Sequence, residues 1–188
     1  MGYYKITEWM PGMWRITSPE CVYEELMIGT EKALLLDTGW GTGQLKKVVR
    51  EITDKPLIVV NSHGHIDHVN GNMQFDEPIY IHPADVELCK AHSSRQIRQM
   101  IASAAEKLTP PEEKFNQEAF LSGGIGKLTP LEEGEVFDLG GKNPVCRRRN
   151  QRCHGAVSPG MREHCPVHSD VGENEKVGFH QNGTVAQQ

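Results

Sequence analysis

A cluster of histidine and aspartate side chains lies near residue 65. In the motif His63-x-His65-x-Asp67-His68, three histidines and one aspartate fall within six residues. Histidine is the commonest neutral metal ligand, and a carboxylate compensates part of the charge of a dication. If the loop curves, His63 and His65 can reach one metal ion. Asp67 and His68 then project from the next turn and can reach a second ion nearby.

Such a site would carry out hydrolysis. Two metal ions about 3.5–4 Å apart can share a bridging water and deprotonate it near neutral pH. The resulting hydroxide is a nucleophile for a carbonyl or phosphoryl centre. The alternative is a solvated loop that happens to be rich in histidine. We favour the metal site because the whole motif follows directly after a run of buried-strand residues, 57–60.

The elements before the motif are predicted to be strands around one helix. β-Branched and aromatic residues indicate strands over 3–7, 13–17 and 22–28. Continuous apolar runs indicate buried strands at 33–36 and 57–60.

Helical spacing of apolar residues predicts a helix over 44–52, between the last two of these strands. The motif therefore stands where a buried strand ends. In layered α/β folds, functional sites gather at such strand ends.

Further elements are predicted after the motif. We expect a strand at 79–81, helices over 84–92 and 94–108, and a strand over 136–139 that enters a turn. Residues 112–126 are charged and contain glycine, which predicts a loop with at most one more turn of helix.

One apolar stripe in this region has two possible roles. Ile97, Met100, Ile101 and Ala104 recur at helical spacing and predict a core face. A minor alternative is that residues 86–122 form a lid or a wall that faces the substrate.

The motif and an earlier segment together resemble the metallo-β-lactamase superfamily, which includes β-lactamases, glyoxalase II-type thioesterases, lactonases and nucleases. The resemblance covers about residues 1–142. Its strongest points are Leu-Leu-Leu-Asp-Thr-Gly at 34–39 and Asn-Ser-His-Gly-His-Ile-Asp-His-Val-Asn-Gly-Asn at 61–72. It implies an α/β fold, a four-layer αββα sandwich of two similar halves, with the metals between the β-sheets.

The resemblance also implies roles for individual residues. His63 and His65 are implied to bind the first metal, and Asp67 and His68 the second. Asp67 is the expected catalytic residue, because it is implied to handle the proton that goes to the leaving group. Asp37 is implied to hold the loop or a ligand histidine by hydrogen bonds.

The implied activity is attack by a metal-bound hydroxide on an ester, thioester, lactone, amide or phosphoester. The expected cofactor is zinc, with up to two ions. Histidine and aspartate ligands also suit iron or manganese.

The character of the sequence changes after Lys142. Residues 143–188 contain no Leu, Ile, Trp or Tyr, and they hold three of the five cysteines and four of the nine histidines. A segment of this composition cannot bury enough apolar surface to offset the entropy lost on ordering. We therefore predict an incomplete metallo-β-lactamase-like domain at 1–142 and a disordered or frame-shifted tail at 143–188.

The tail also departs from the family in its ligands. The family supplies later ligands from a Gly-His-Thr segment, a Gly-Asp segment and a final histidine, and the expected apolar strand does not follow Lys142. A shift of reading frame at about codon 142 would explain this break, and translation of the other two frames tests it. His154 is the alternative ligand from the tail, although incidental histidines in a disordered tail are the favoured interpretation.

Two further expectations follow from the missing half. The chain is either the hydrolase itself or a truncated, catalytically inactive fragment that binds metal weakly. One half of a two-sheet sandwich exposes an apolar sheet face. Two chains that cover each other's sheets, as a homodimer, are therefore a further possibility.

The overall composition limits the partners and the location. The formal net charge of −5 gives no indication of nucleic acid or of an anionic membrane surface as a partner. No apolar run approaches the roughly 20 residues that span a bilayer, and no apolar signal core follows the first residues. We therefore expect a cytoplasmic protein that acts on a small molecule.

Overall fold

The structure is a computed structural model that describes residues 2–105 and 116–141 and the backbone of residues 145–146. The predicted tail at 143–188, its proposed frame shift and His154 lie outside the described residues, apart from that short stretch of backbone. The boundary between the two predicted regions stays a prediction.

The described residues form nine strands, five α-helices and two 3-10 turns. The strands are β1 Lys5–Met10, β2 Met13–Thr17, β3 Tyr23–Ile28, β4 Ala33–Leu36, β5 Leu57–Val60, β6 Pro78–Ile81, β7 Lys127–Pro130, β8 Val136–Phe137 and β9 Val145–Cys146. The helices are α1 Leu45–Ile52, α2 Ile66–Val69, α3 Val86–His92, α4 Arg95–Ala105 and α5 Gln117–Ser122. The 3-10 turns are Asn70–Gln74 and Pro83–Asp85.

Seven strands form one mixed sheet in the order β1-β2-β3-β4-β5-β6-β7. The first four strands pair antiparallel, and β4 to β7 pair parallel. Each parallel pair needs a crossover connection, which α1, α2 and the helices α3 to α5 supply in turn. Strands β8 and β9 form a separate antiparallel pair. The predicted mixed α/β fold is confirmed.

Successive residues of β4 divide between two apolar clusters, because side chains alternate across a sheet. Leu35 packs on the face that α1 covers, where Leu45 and Val49 of the helix are fully buried. Leu34 packs on the opposite face, beside Phe137. This division explains the continuous apolar run of β4, since a strand with both faces covered needs no polar side.

Two features of the region after the motif differ from the sequence predictions. Strand β7 was not predicted, because Lys127–Pro130 is short and has only one large apolar residue. The predicted core stripe of α4 was partly wrong. Ile101 is buried, but Met100 is 63% exposed and Ala104 is also exposed.

The buried face of α4 is centred on a charged residue. Arg98 is fully buried, although burial without a carboxylate partner is unfavourable for a guanidinium. Its Nε donates to Asn70 Oδ1 at 3.3 Å, and its terminal nitrogens donate to the carbonyls of Phe120, Gly123 and Gly124. Because sequence periodicity assigns charged residues to the solvent face, the predicted stripe shares only part of the observed buried face, which consists of Arg98, Ile101, Ala102 and Ala105.

We expect Arg98→Met to lower the free energy of unfolding by roughly 3–5 kcal/mol. The substitution keeps a long side chain but leaves the three carbonyls and the Asn70 amide oxygen without their donor. Denaturant unfolding of both proteins measures the loss. Arg95→Met, at the exposed start of the same helix, is the matched control. Equal stability of the Arg98 variant and the parent would contradict this account.

In the described part of the chain, no helix is long and apolar enough to cross a membrane.

Candidate metal centre

The motif begins at the end of β5, beside the end of β4. Leu36 and Val60 are paired in the parallel ladder, so the residues that follow them leave the sheet side by side. The backbone N–H of Asp37 continues the ladder by donating to the Val60 carbonyl at 2.8 Å. The sheet thus delivers Asp37 and the motif to the same edge.

The Asp37 carboxylate binds both ends of the motif. Its Oδ1 accepts from the backbone N–H of Ser62 at 2.7 Å, and its Oδ2 accepts from the Ser62 hydroxyl at 2.7 Å. The same Oδ2 lies 2.9 Å from His68 Nδ1. Asp37 is 5% exposed and has a φ of +65°, a left-handed conformation that aspartate tolerates better than most residues. The expected hydrogen-bonding role of Asp37 matches these contacts.

Two of the motif histidines have their Nδ1 atoms held by hydrogen bonds. Because the Ser62 hydroxyl donates to Asp37, its oxygen accepts from His63 Nδ1 at 2.9 Å. His68 Nδ1 donates to the Asp37 carboxylate in the same way. The Nε2 atom of His63 then remains for a further ligand, whereas that of His68 faces Asp67 Oδ2. A histidine whose other nitrogen donates to a carboxylate or hydroxyl is the usual arrangement at protein metal sites.

The rings of the motif are near one another and accessible. The ring centroids of His63 and His68 are 4.1 Å apart, and those of His63 and His65 are 4.6 Å apart. His65 is exposed, whereas His63, Asp67 and His68 are half-buried. His68 Nε2 lies 3.4 Å from Asp67 Oδ2. The four residues of the predicted ligand set are therefore neighbours, but no three of them form a group that could hold a metal ion within the described residues.

The charges of the site favour a cation between His68 and Asp67. Burial lowers the pKa of His68, but its hydrogen bonds to Asp37 and Asp67 outweigh burial and raise the pKa to about 10. The hydrogen bond to His68 lowers the pKa of Asp67. Burial and the neighbouring positive His68 lower the pKa of His63, which keeps that ring neutral. Binding of a metal at His68 Nε2 would therefore require the release of a proton from this ring.

The donor types fit a divalent metal as a partial ligand set. Imidazole nitrogens and an ionised carboxylate are suitable ligands, although His68 must lose a proton before its Nε2 can serve as one. In the described ranges 2–105 and 116–141, however, no three His, Cys, Asp or Glu side chains form a group that could hold a metal ion. The described residues therefore offer donor atoms without completing a coordination sphere.

Buried amides below the motif fix its backbone. The His68 carbonyl accepts from the Thr38 N–H at 2.9 Å and from Asn61 Nδ2 at 3.1 Å. Asn72 links these two donors, because its Oδ1 accepts from Thr38 Oγ1 and its Nδ2 donates to Asn61 Oδ1, both at 2.8 Å. All three residues are fully buried. Their roles were not predicted from the sequence, although two of the three are asparagines close to the ends of apolar strands.

Two more residues near the site were not predicted as functional. His92 is a fourth histidine, and its ring centroid lies 5.6 Å from that of His65. Glu24 on β3 is fully buried, and both of its carboxylate oxygens lack a hydrogen-bond partner. Burial, followed by the nearby negative Asp37, raises the pKa of Glu24 well above 4.5. Glu24 and Glu25 are adjacent in β3, so the sequence gives no indication that one of them points inward.

We expect Glu24 to make stability fall as pH rises. Its folded-state pKa is raised, so the folded chain binds more protons than the unfolded chain above about pH 4.5, and the free energy of unfolding decreases with pH. Glu24→Gln removes this dependence and should stabilise the protein at pH 8 by about 1–3 kcal/mol, with little effect at pH 4.5. Unfolding curves at both pH values measure it, with Glu31→Gln at an exposed position as control. An equal pH slope in parent and variant would show that Glu24 is ionised and paired.

A family model described as the Metallo-beta-lactamase superfamily matches residues 26–146 of this chain. The match includes Asp37 and the whole motif, and it agrees with the resemblance drawn from the sequence.

The curated relatives are similar at low identity. The acyl-coenzyme A thioesterase MBLAC2 of Homo sapiens is 25% identical over 145 residues, which are 70% of this chain and 51% of that protein. The protein of the same name from Gallus gallus is 24% identical over 149 residues, 74% of this chain and 53% of that one. This chain therefore spans about half the length of the curated relatives it matches.

Solved structures show a similar extent of overlap. A subclass B3 metallo-beta-lactamase of Bradyrhizobium japonicum is 14% identical, covers 74% of this chain and 49% of its own, and has a TM-score of 0.49. A metallo-beta-lactamase from Pontibacter korlensis is 20% identical, with coverage of 73% and 57% and a TM-score of 0.46.

Proposed function

Because this chain belongs to the metallo-beta-lactamase superfamily, we propose that it is a metal-dependent hydrolase whose metal is held by His63, His65, Asp67 and His68. The observation that carries this proposal is the fixed orientation of His63 and His68. Both rings have Nδ1 engaged in a hydrogen bond, which leaves His63 Nε2 for a ligand and turns His68 Nε2 toward Asp67 Oδ2 at 3.4 Å.

We propose zinc as the metal, in up to two ions, with iron and manganese as alternatives. Zinc prefers imidazole and carboxylate ligands and has no redox chemistry that a hydrolase must suppress. When bound, the metal supplies Lewis-acid stabilisation of an oxyanion and lowers the pKa of nearby water. The remaining ligands would come from parts of the protein outside the described residues, with His154 as one candidate.

Among the possible substrates, we favour a thioester of the acyl-coenzyme A type. The first support is that curated relatives of this chain are named acyl-coenzyme A thioesterases. The second support is the charge of Asp67. Its lowered pKa keeps Asp67 ionised at neutral pH, so a leaving group that departs as an anion suits the site because it needs no proton from this residue. A thiol with a pKa near ~8.5 departs in that way far more readily than an amine.

The residues of the motif would then divide the work. His63 and His68 provide rigid ligands, since Asp37 and Ser62 restrain their rings. Asp67 completes the charge compensation and can accept a proton from water or return one to a leaving group that needs it. Ester, lactone, amide and phosphoester substrates remain alternatives that the same chemistry permits.

The first test is metal content and hydrolysis in the same preparation. Elemental analysis of the purified chain should find tightly bound zinc, and liquid chromatography should detect free coenzyme A released from an acyl-coenzyme A. His65→Ala should lose metal and reduce the hydrolysis rate by roughly 100-fold or more. His82→Ala is the control, because His82 caps the turn before α3 and is not one of the four proposed ligands.

The possible outcomes separate the proposals. Metal and thioester hydrolysis, both lost in His65→Ala, support the hydrolase. Bound metal with hydrolysis of a different substrate class would contradict the thioester assignment only. Absence of metal and of hydrolysis in the parent would contradict the hydrolase.

A second candidate function is a truncated, catalytically inactive chain that binds metal weakly. It is favoured by one observation, the lack of any three-donor group among the residues that the structure describes. Under this proposal, metal would bind in the presence of excess ion but would be lost on dialysis against a chelator, and no substrate would be turned over.

The remaining expectations stay proposals. We propose a small-molecule substrate and no nucleic-acid or membrane partner, and a cytoplasmic location that cell fractionation would test. A homodimer would elute at twice the monomer mass from a sizing column.

A further inference from the structure

Gly64, between the first two histidines of the motif, is hydrogen-bonded through both its backbone N–H and its carbonyl. Gly64 donates its N–H to Asp85 Oδ1 at 3.1 Å. Its carbonyl lies 3.2 Å from His92 Nδ1, and because a carbonyl can only accept, this nitrogen carries the proton. The peptide groups that join His63 to His65 are thus fixed from two directions.

Both holding residues belong to one short helix. Asp85 directly precedes α3, and His92 is the last residue of that helix. The seven residues of α3 span about 10 Å, so side chains at its two ends can both reach the backbone of Gly64. Residues 63–65 lie along the side of α3 between these two contacts.

The space beside Gly64 is closed by the helix backbone. A Cβ atom at this position would lie 2.5 Å from the Asp85 carbonyl oxygen and 2.8 Å from the Cys89 nitrogen. No side chain fits there, so the loop approaches α3 as closely as a backbone can. This close approach explains why glycine separates the two histidines.

The same helix is tied to the second half of the motif. Asn70 Nδ2 donates to the carbonyl of His92 at 3.2 Å and to the carbonyl of Ile66 at 2.7 Å. Arg98 in turn donates to Asn70 Oδ1. The C-terminal end of α3 is therefore fixed to α2, on which Asp67 and His68 lie.

We propose that Asp85 and His92 are positioning residues that brace Gly64 and so set the separation of His63 and His65. In His-x-His both side chains can reach one ion only if the intervening backbone curves, and the brace holds that curve before any metal binds. Neither Asp85 nor His92 is a metal ligand in this account. The proposal rests on the proposed metal site, but the brace itself is a property of the metal-free chain.

The experiment compares paired substitutions in the full chain. His92→Phe keeps a ring but removes the donor, whereas His92→Asn keeps a donor near the position of Nδ1. Asp85→Ala removes the acceptor, whereas Asp85→Asn keeps an oxygen there. Lys90→Gln, on the exposed side of α3, is the matched control.

Two measurements are made on each protein. The first is the affinity for Co²⁺ and the visible absorption spectrum of the Co²⁺ form, which reports ligand geometry. The second is the hydrogen-exchange rate of the Gly64 amide in the metal-free protein. We expect His92→Phe and Asp85→Ala to weaken Co²⁺ binding roughly 10–100-fold, shift the spectrum and speed Gly64 exchange. His92→Asn, Asp85→Asn and Lys90→Gln should stay close to the parent.

Three results would overturn the brace. One is unchanged exchange and affinity in His92→Phe and Asp85→Ala. Another is equal damage in His92→Phe and His92→Asn, which would make His92 a ligand or a packing residue instead. The third is faster exchange without any loss of Co²⁺ affinity. If the parent binds no Co²⁺, the proposed function fails, and Gly64 exchange alone decides whether the brace exists.

Discussion

The Asp37 carboxylate joins two segments that are far apart in sequence and adjacent in the sheet. It accepts from the N–H and the hydroxyl of Ser62 before the motif, and from His68 Nδ1 at its end. With one oxygen shared between Ser62 and His68, the carboxylate fixes where the loop starts and where it returns. Both histidine orientations at the site follow from this one buried charge.

The residues around Asp37 hold its carboxylate and the loop at 61–68 in place. Amides of Asn61, Asn70 and Asn72 hold the backbone from below, and α3 holds Gly64 from the side. Arg98 extends this support to α5 without any carboxylate of its own. Buried polar groups of this kind are costly unless every one is paired, so the network favours a single loop conformation. A rigid partial ligand set reduces the entropy lost when a metal binds.

The sequence allowed prediction of those parts that depend on local pattern. The apolar runs of β4 and β5, the helix between them and the polar motif at the strand end all follow from short-range periodicity, and they are confirmed. The four motif residues could be named because their types are rare together, and Asp37 because of the family resemblance. Their service as metal ligands remains a proposal.

Other features could not be predicted, because they depend on contacts between distant residues. The burial of Arg98 and of Glu24 contradicts what charge predicts locally, and only the carbonyls of α5 and the packing of β3 explain it. His92 has an ordinary place at the end of a helix, and its relation to Gly64 arises from the crossover that returns α3 to the motif. The residues after 146 lie outside the described structure, so the predicted change in the chain after Lys142 stays a prediction.

The central claim is that Asp37 orients His68 for a metal, and the zinc affinity of Asp37→Asn tests it most directly. The substituted amide can still accept from the Ser62 N–H, but its nitrogen cannot accept from His68 Nδ1. We predict that zinc affinity, measured by competition with a chelator in a variant that remains folded, falls roughly 10–100-fold. Zinc affinity equal to that of the parent, in a folded variant, would contradict the claim.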